Sequence, residues 1–365
     1  FENVYLTGIV RDNQGRKMSK TLGNSPDPLD LIDKYGADGV RMGLIMSAPA
    51  GNDILFDESL CEQGRNFNNK IWNALRLVKG WTVADLPQPE SAGIAVKWFE
   101  ARVAAAIEEL NDDFSKYRIS EALMVVYKLF RDEFSSWYLE MVKPAYGQPI
   151  DATSYAATLR FFEQLTLLLH PFMPFITEEL WQHLKTEGET IMLQSFPKSE
   201  KNLISAEVET AMAWLQEAIT AFRNIRAEAN INPGKAVPAL IKTADPEEMK
   251  ILTQNKAFLM KLAKLESLDF GAEIVKPELS GVRVVGKSEL IVPLLGLLDL
   301  EAEKEKIMIQ IAKLEQGLAS CERKLADERF VSKAPAQVIE REKVNQADYQ
   351  HKIEKLKENL AHLGL

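Results

Sequence analysis

Lys17 and Lys20 stand three residues apart on a polar segment, Gly15-Arg16-Lys17-Met18-Ser19-Lys20-Thr21-Leu22-Gly23-Asn24, which carries glycine near both ends. Lysine is a compact charge on a flexible stem, suited to following phosphate oxygens as charge moves between them. Ser19 adds a small hydroxyl between the two cations. Spacing alone leaves two readings open: a phosphate-following loop, and a solvated surface loop that carries two lysines. Other chemistry-bearing residues are scattered. The four histidines are His170, His183, His351 and His362, and the two cysteines are Cys61 and Cys321. Isolated cysteines build neither a disulfide framework nor a paired-cysteine zinc site, so no structural metal is expected. His170, just before Pro171, reads as a structural group at a helix end. Cys61 reads as a small helix residue, and Cys321 as a small hydrophobe on a helical seam.

The elements that must position the lysine loop follow from periodicity. Val4–Val10 reads as a strand, and Arg11–Asn24 as the loop after it. Pro26 and Pro28 set up a helix from about Leu29, with Asp27 or Asp30 as its cap. Helical patterns follow over 58–80, 94–111, 153–170, 177–185 and 205–229. Between them Ile119, Leu123, Val126, Phe130, Phe134, Trp137 and Met141 step by 4, 3, 4, 4, 3 and 4, one apolar face of a long helix ending at Pro144. These predict a bundle of five or six helices. After Asn232-Pro233-Gly234 the texture changes. A strand at Ala236–Lys242, a helix at 246–263 and strands at 282–285 and 289–292 around a Gly-Lys-Ser turn predict a small α/β module. Leu300, Ile307, Ile311, Leu314, Leu318, Cys321 and Leu325 then keep a heptad rhythm. Tyr349, Ile353, Leu356, Leu360 and Leu363 resume it after a break at Phe330–Pro335. Two single-seam helices joined by a short turn predict an antiparallel coiled-coil hairpin.

Composition sets the bounds. The chain has 365 residues, 46% hydrophobic and 27% charged, with a net charge of −9. That is ordinary globular composition, which excludes collagen-like and wholly disordered chains. Apolar runs fall far short of the roughly 20 residues a membrane span needs. The acidic balance argues against wholesale coating of nucleic acid, though not against a local basic surface. Sparse cysteine fits a reducing, cytosolic compartment. A first residue of Phe1 rather than Met suggests a piece of something longer.

Lys17-Met18-Ser19-Lys20-Thr21 resembles the KMSKS signature of class I aminoacyl-tRNA synthetases, with Thr21 keeping the hydroxyl of the usual final serine. Tyr35-Gly36-Ala37-Asp38 with Arg41, Gly51-Asn52-Asp53, and Phe56-Asp57 resemble the catalytic-domain exit of the branched-aliphatic subclass. Arg65-Asn66-Phe67, Asn69-Lys70 and Trp72-Asn73 resemble the opening of its anticodon-binding bundle. Trp137-Tyr138-Leu139-Glu140 and His170-Pro171-Phe172-Met173-Pro174-Phe175 through Trp181 resemble its later helices. Arg223-Asn224-Ile225-Arg226, Asn232-Pro233-Gly234-Lys235 and the terminal hairpin are similar to the valyl branch, with the isoleucyl and leucyl branches as alternatives. A non-catalytic tRNA-binding protein is the alternative of another class, and the lysine loop argues against it.

The resemblance implies a mainly α chain in four parts: the end of a class I catalytic domain with its lysine loop (1–50), an anticodon-binding helical bundle (51–230), a small α/β junction module (231–298) and a coiled-coil tRNA-binding arm (299–365). It implies activation of valine by ATP, with Mg2+ accompanying ATP, and transfer to tRNA(Val) by a monomer. Lys20 would meet the ATP phosphates, Lys17 would support it electrostatically and Ser19 would shape the loop. Arg65, Lys70 and Arg76, with Asn66 and Asn73, would face tRNA from the bundle, or else only coat a core of Phe67, Ile71 and Trp72; Asn69 falls with the coat. Lys313, Arg323, Lys324, Arg329 and Lys333 would do so from the arm, where acidic and basic residues nearly balance. The chain has no HIGH-like histidine motif, no glycine-rich phosphate loop and no editing domain, so it is expected to be inactive alone.

Overall fold

The computed structural model describes residues 2–48, 51–185, 190–295, 300–327 and 335–362, without side chains for 300–306, 336 and 358–362. It forms two compact units, Phe1–Ala213 and Trp214–Leu365.

In the first unit, β1 (Val10–Arg11) leads into the lysine loop. Asp27 then caps α1 (Pro28–Tyr35) by accepting from the Leu29 amide at 2.9 Å, with Pro28 in the first turn. Helix α2 (Ala37–Met46) follows directly, and β2 (Ile54–Leu55) pairs with β1 in parallel. Of the strand expected over Val4–Val10, only its last residue pairs. Val4 and Leu6 stay exposed because no second strand among the described residues lies beside them. Asp57 caps α3 (Glu58–Lys79). A second parallel pair, β3 (Val83–Ala84) with β4 (Ile150–Asp151), brackets α4 (Glu90–Ser115) and α5 (Ile119–Lys128).

The long helix expected through Met141 changes form. After α5 it continues as a π-helix over Leu129–Tyr138 and then as α6 (Leu139–Val142). Widening the turn moves the apolar stripe by one residue: Tyr138 is fully buried and Trp137 only half-buried. Steps of four then bring the rings together, Phe130 to Phe134 tilted and Phe134 to Tyr138 stacked, each at 5.4 Å. Phe99 of α4 meets Phe134, Tyr138 and Phe161, the last on α7 (Ala152–Leu169), at 5.0–5.3 Å. The Tyr138 hydroxyl shares a 2.9 Å hydrogen bond with Thr158, and burial pushes its pKa up.

The turn into α8 (Pro174–Leu184) is where the loop-bearing end joins the bundle. Asp38 of α2 accepts from the Ile176 amide at 2.6 Å, satisfying an amide of the first turn of α8. Arg41 donates to the Phe172 and Pro171 carbonyls at 3.1 and 3.2 Å. Two motifs far apart in sequence therefore interlock. His170 bonds Thr177 through Nδ1 at 2.7 Å, a structural group at the helix end, and burial pulls its pKa down.

Helix α9 (Ala206–Glu228) enters the second unit. There β5 (Val237–Lys242), β6 (Leu265–Gly271), β7 (Ser280–Val285) and β8 (Ser288–Pro293) form a sheet of order β6-β5-β8-β7, with α10 (Pro246–Ala263) between β5 and β6 in sequence. β5 and β6 are parallel; the other neighbours are antiparallel. β6 was not expected, since its polar Glu266, Ser267 and Asp269 mask the strand pattern. Helices α11 (Leu300–Ala326) and α12 (Ala336–His362) pair along their length. Ile311, Cys321 and Ile353 are buried on the seam, and Glu315–Lys357 and Lys324–Glu342 cross it in antiparallel register. The heptad positions Leu300, Leu360 and Leu363 and most of the Phe330–Pro335 break lie outside the described side chains.

Candidate functional site

The lysine loop is held by side-chain acceptors rather than by regular structure. It leaves β1, returns by a single bridge between Arg11 and Lys17, and turns at Gly15 and Gly23, both at positive φ. Asp53 anchors its root, accepting from the Ile9 amide at 2.9 Å and from Arg11 Nε at 2.5 Å. Inside the loop the buried carboxylate of Asp12 accepts from the Gln14 and Arg16 amides, from Arg16 Nε and from Asn24 Nδ2, all at 2.8–3.0 Å. The Asn24 and Arg16 bonds hold that carboxyl well below the usual carboxylate range. Asn24 also reaches the Lys17 carbonyl at 3.3 Å and accepts from the Ser19 amide at 2.9 Å. Ser19 Oγ accepts from the Leu22 amide at 3.3 Å, so its hydroxyl shapes the turn.

Lys17 and Lys20 are exposed, and neither has an acidic partner among the described residues. Asp12 is committed to Arg16 and Asn24. The loop thus presents two unneutralised ammonium groups from a fixed backbone, an arrangement fitted to phosphate oxygens. Asp12 was not singled out from sequence. Asp12-Asn13-Gln14-Gly15 does carry the composition of an Asx turn, a signal that could have found it. Among the described residues no group of three His, Cys, Asp or Glu side chains is placed to hold a metal ion.

The bundle candidates separate. Arg65 is pinned: it pairs with Glu62 at 3.0 Å and lies over the Tyr35 ring at 5.6 Å. Arg76 is exposed, with no ion-pair partner among the described residues. Lys70 is half-buried on a groove of about 480 Å³ lined also by Asn66, Gln63, Tyr127 and Arg131. Arg131 lies 5.5 Å from the Tyr127 ring, and Gln63 donates to the Tyr127 hydroxyl at 3.0 Å. Arg131 and Tyr127 were missed, because their helix turn reads as core. Phe67 and Ile71 are core, whereas Trp72 is half-buried and meets His183 edge-on. Asn69 and Asn73 are exposed.

On the arm, Lys313 is exposed, with no acidic partner among the described residues. Arg323 is exposed and donates to the Ala319 carbonyl of its own helix. Lys324 is drawn into the 2.9 Å pair with Glu342, which raises the lysine pKa and lowers that of the carboxylate. Arg329 and Lys333 lie outside the described residues.

Three family profiles match the chain. Residues 1–57 match one described as tRNA synthetases class I (I, L, M and V), 96–241 one for the anticodon-binding domain of tRNA ligase, and 299–364 one for the valyl tRNA synthetase tRNA binding arm. Curated relatives include valine–tRNA ligases of Phocaeicola vulgatus (54% identical over 367 residues), Parabacteroides distasonis (53% over 368) and Porphyromonas gingivalis (52% over 369). Each match takes in 100% of this chain and 41% of the relative, so the chain spans about two-fifths of their length.

Proposed function

Because the chain belongs to the valine–tRNA ligase family and corresponds to its carboxyl-terminal part, we propose that it serves a ligase that activates valine with ATP and charges tRNA(Val). Within that ligase it has four tasks. Residues 1–50 supply the lysine loop, 51–230 read the anticodon, 231–298 join the parts, and 299–365 hold the tRNA.

The observation that carries the reading is the lysine loop, with its backbone fastened and its two amines unpaired among the described residues. When valine is activated, its carboxylate oxygen bonds to the α-phosphorus of ATP. The bond to the bridging oxygen breaks, and charge builds on the departing pyrophosphate. Lys20 meets that charge as it develops and Lys17 lowers the potential beside it, an effect that counts most when the donors are already in place. Ser19 acts by closing its turn onto Leu22. The aminoacyl group then passes to the 3′ end of the tRNA, which the bundle and arm hold through Lys70, Arg76, Lys313 and Arg323, with Arg65 and Lys324 as braced neighbours.

This chain alone does not form the adenylate. Its histidines stand at the α7–α8 turn and on α8 and α12, away from the lysine loop in sequence, and none belongs to a HIGH-like motif. ATP–pyrophosphate exchange by the isolated chain should stay at background. The full-length ligase should be active, and changing Lys20 to Ala should slow adenylate formation on the order of 10²–10³-fold. Exchange by the isolated chain, or a full-length Lys20→Ala enzyme at the parental rate, would overturn the assignment. Selective retention of an isoleucine or leucine tRNA would move it to a neighbouring branch.

A further inference from the structure

We infer that Asp12 is the positioning residue of the lysine loop and acts through Asn24, so that the spacing and direction of Lys17 and Lys20 are set by a carboxylate that touches no substrate. This rests on the role proposed above for the two lysines and specifies how their loop is held.

The two oxygens of Asp12 divide the work. Oδ1 accepts the Gln14 and Arg16 amides at 3.0 and 2.9 Å, closing the incoming limb. Oδ2 accepts Arg16 Nε at 2.8 Å and Asn24 Nδ2 at 2.9 Å, tying that limb to the outgoing one. The Asn24 amide then grips the segment between the lysines at two points, the Lys17 carbonyl and the Ser19 amide. A single chain of hydrogen bonds therefore runs from a buried carboxylate to the backbone between the cations, while the ammonium groups stay unpaired among the described residues. The charge count agrees. Between residues 12 and 24 the charged side chains are Asp12, Arg16, Lys17 and Lys20, and Asp12 pairs with Arg16, leaving both lysines uncompensated. Had either lysine taken Asp12 as its own partner, the loop would be tied without presenting its charge.

Acceptor geometry makes the proposal specific. An asparagine at position 12 has the size of the aspartate but only one acceptor oxygen. Whichever way it turns, its NH2 group faces donors, either the Gln14 and Arg16 amides or Asn24 Nδ2 and Arg16 Nε. One limb is released, and a displacement of about 1 Å at a charge-stabilising group costs on the order of 10²-fold in rate.

The test uses the full-length ligase, with Lys20→Ala in parallel. Asp12→Asn should lower kcat for ATP–pyrophosphate exchange on the order of 10²-fold. The KM for valine, the Kd for tRNA and the melting temperature should stay at parental values, a split that general destabilisation does not give. In this chain by itself, hydrogen exchange at the Arg16 and Ser19 amides should accelerate in Asp12→Asn, a readout independent of activity. Should Asp12→Asn melt early, Asn24→Ala takes its place with the same expected pattern. A parental rate for Asp12→Asn beside a slow Lys20→Ala overturns this inference and leaves the lysine assignment standing. A parental rate for Lys20→Ala overturns that assignment instead. Unchanged amide exchange in both Asp12→Asn and Asn24→Ala overturns the inference in either case.

Discussion

Asp12 and Asp38 are both largely removed from water, yet their surroundings act on them in opposite senses. Asp12 is ringed by donors, chiefly Asn24 and Arg16, so its folded pKa lies below the unfolded value. Asp38 is dominated by burial, which raises its pKa against the pull of the Ile176 and Phe175 amides. A carboxyl with a depressed folded pKa stabilises fully above the unfolded value, about 3.9, and its contribution fades as pH falls towards the folded one. The lysine loop should therefore keep its amide protection on acidification from neutrality to about pH 4 and lose it only below. Exchange at Ser19 followed across that range checks this, and loss of protection already at about pH 5–6 would contradict the Asp12 network. The lysines themselves were legible in sequence, since residue type and spacing declare them. The Asx-turn composition around Asp12 could mark a local turn, but its bond to Asn24 twelve positions away is announced by no local pattern.

At the scale of elements, helix–helix approach and helix register carry the sharpest expectations. α2 and α3 cross at Gly64, where a Cβ would lie 2.7 Å from the Gly39 carbonyl oxygen and 2.9 Å from its Cα. Both neighbours are backbone and cannot swing aside, so Gly64→Ala should cost about 1–3 kcal/mol in urea unfolding. Asp38→Ala, which strips an acceptor from the first turn of α8, should cost about 1 kcal/mol, with Asp38→Asn closer to neutral. The π-helix gives a sharper contrast. Tyr138→Ala should cost about 3–5 kcal/mol and Trp137→Ala clearly less, the reverse of what the heptad-like stripe predicts. The sequence pattern carried the helices well, from the Asp27 cap to the arm seam, because capping and amphipathicity are local. It failed where the ring row of Phe130, Phe134 and Tyr138 chose steps of four over the mean helical step, a tertiary choice.

Across the whole molecule, a net charge of −9 means that any RNA contact must come from local surfaces rather than from the overall field. Clusters of cations in sequence do not separate binding charges from bracing ones, but their partners do. Lys324 is matched across the arm by Glu342, whose side chain is only 14% exposed, while Lys313 and Arg323 face outward without an acidic partner among the described residues. Replacing Lys313 and Arg323 together by Ala should weaken tRNA binding by the full-length ligase and lower the slope of log K against log salt by about 2, one for each phosphate that is no longer neutralised. Lys324→Ala should leave that slope nearly unchanged and instead loosen the helix pair, because it strands a half-buried carboxylate on the seam. Titrations at several salt concentrations, paired with thermal melts of the arm, separate the two effects. If Lys324→Ala moved the slope while the outward-facing pair did not, the arm would meet its RNA through the seam-side charges, and the division into bracing and binding cations would be reversed.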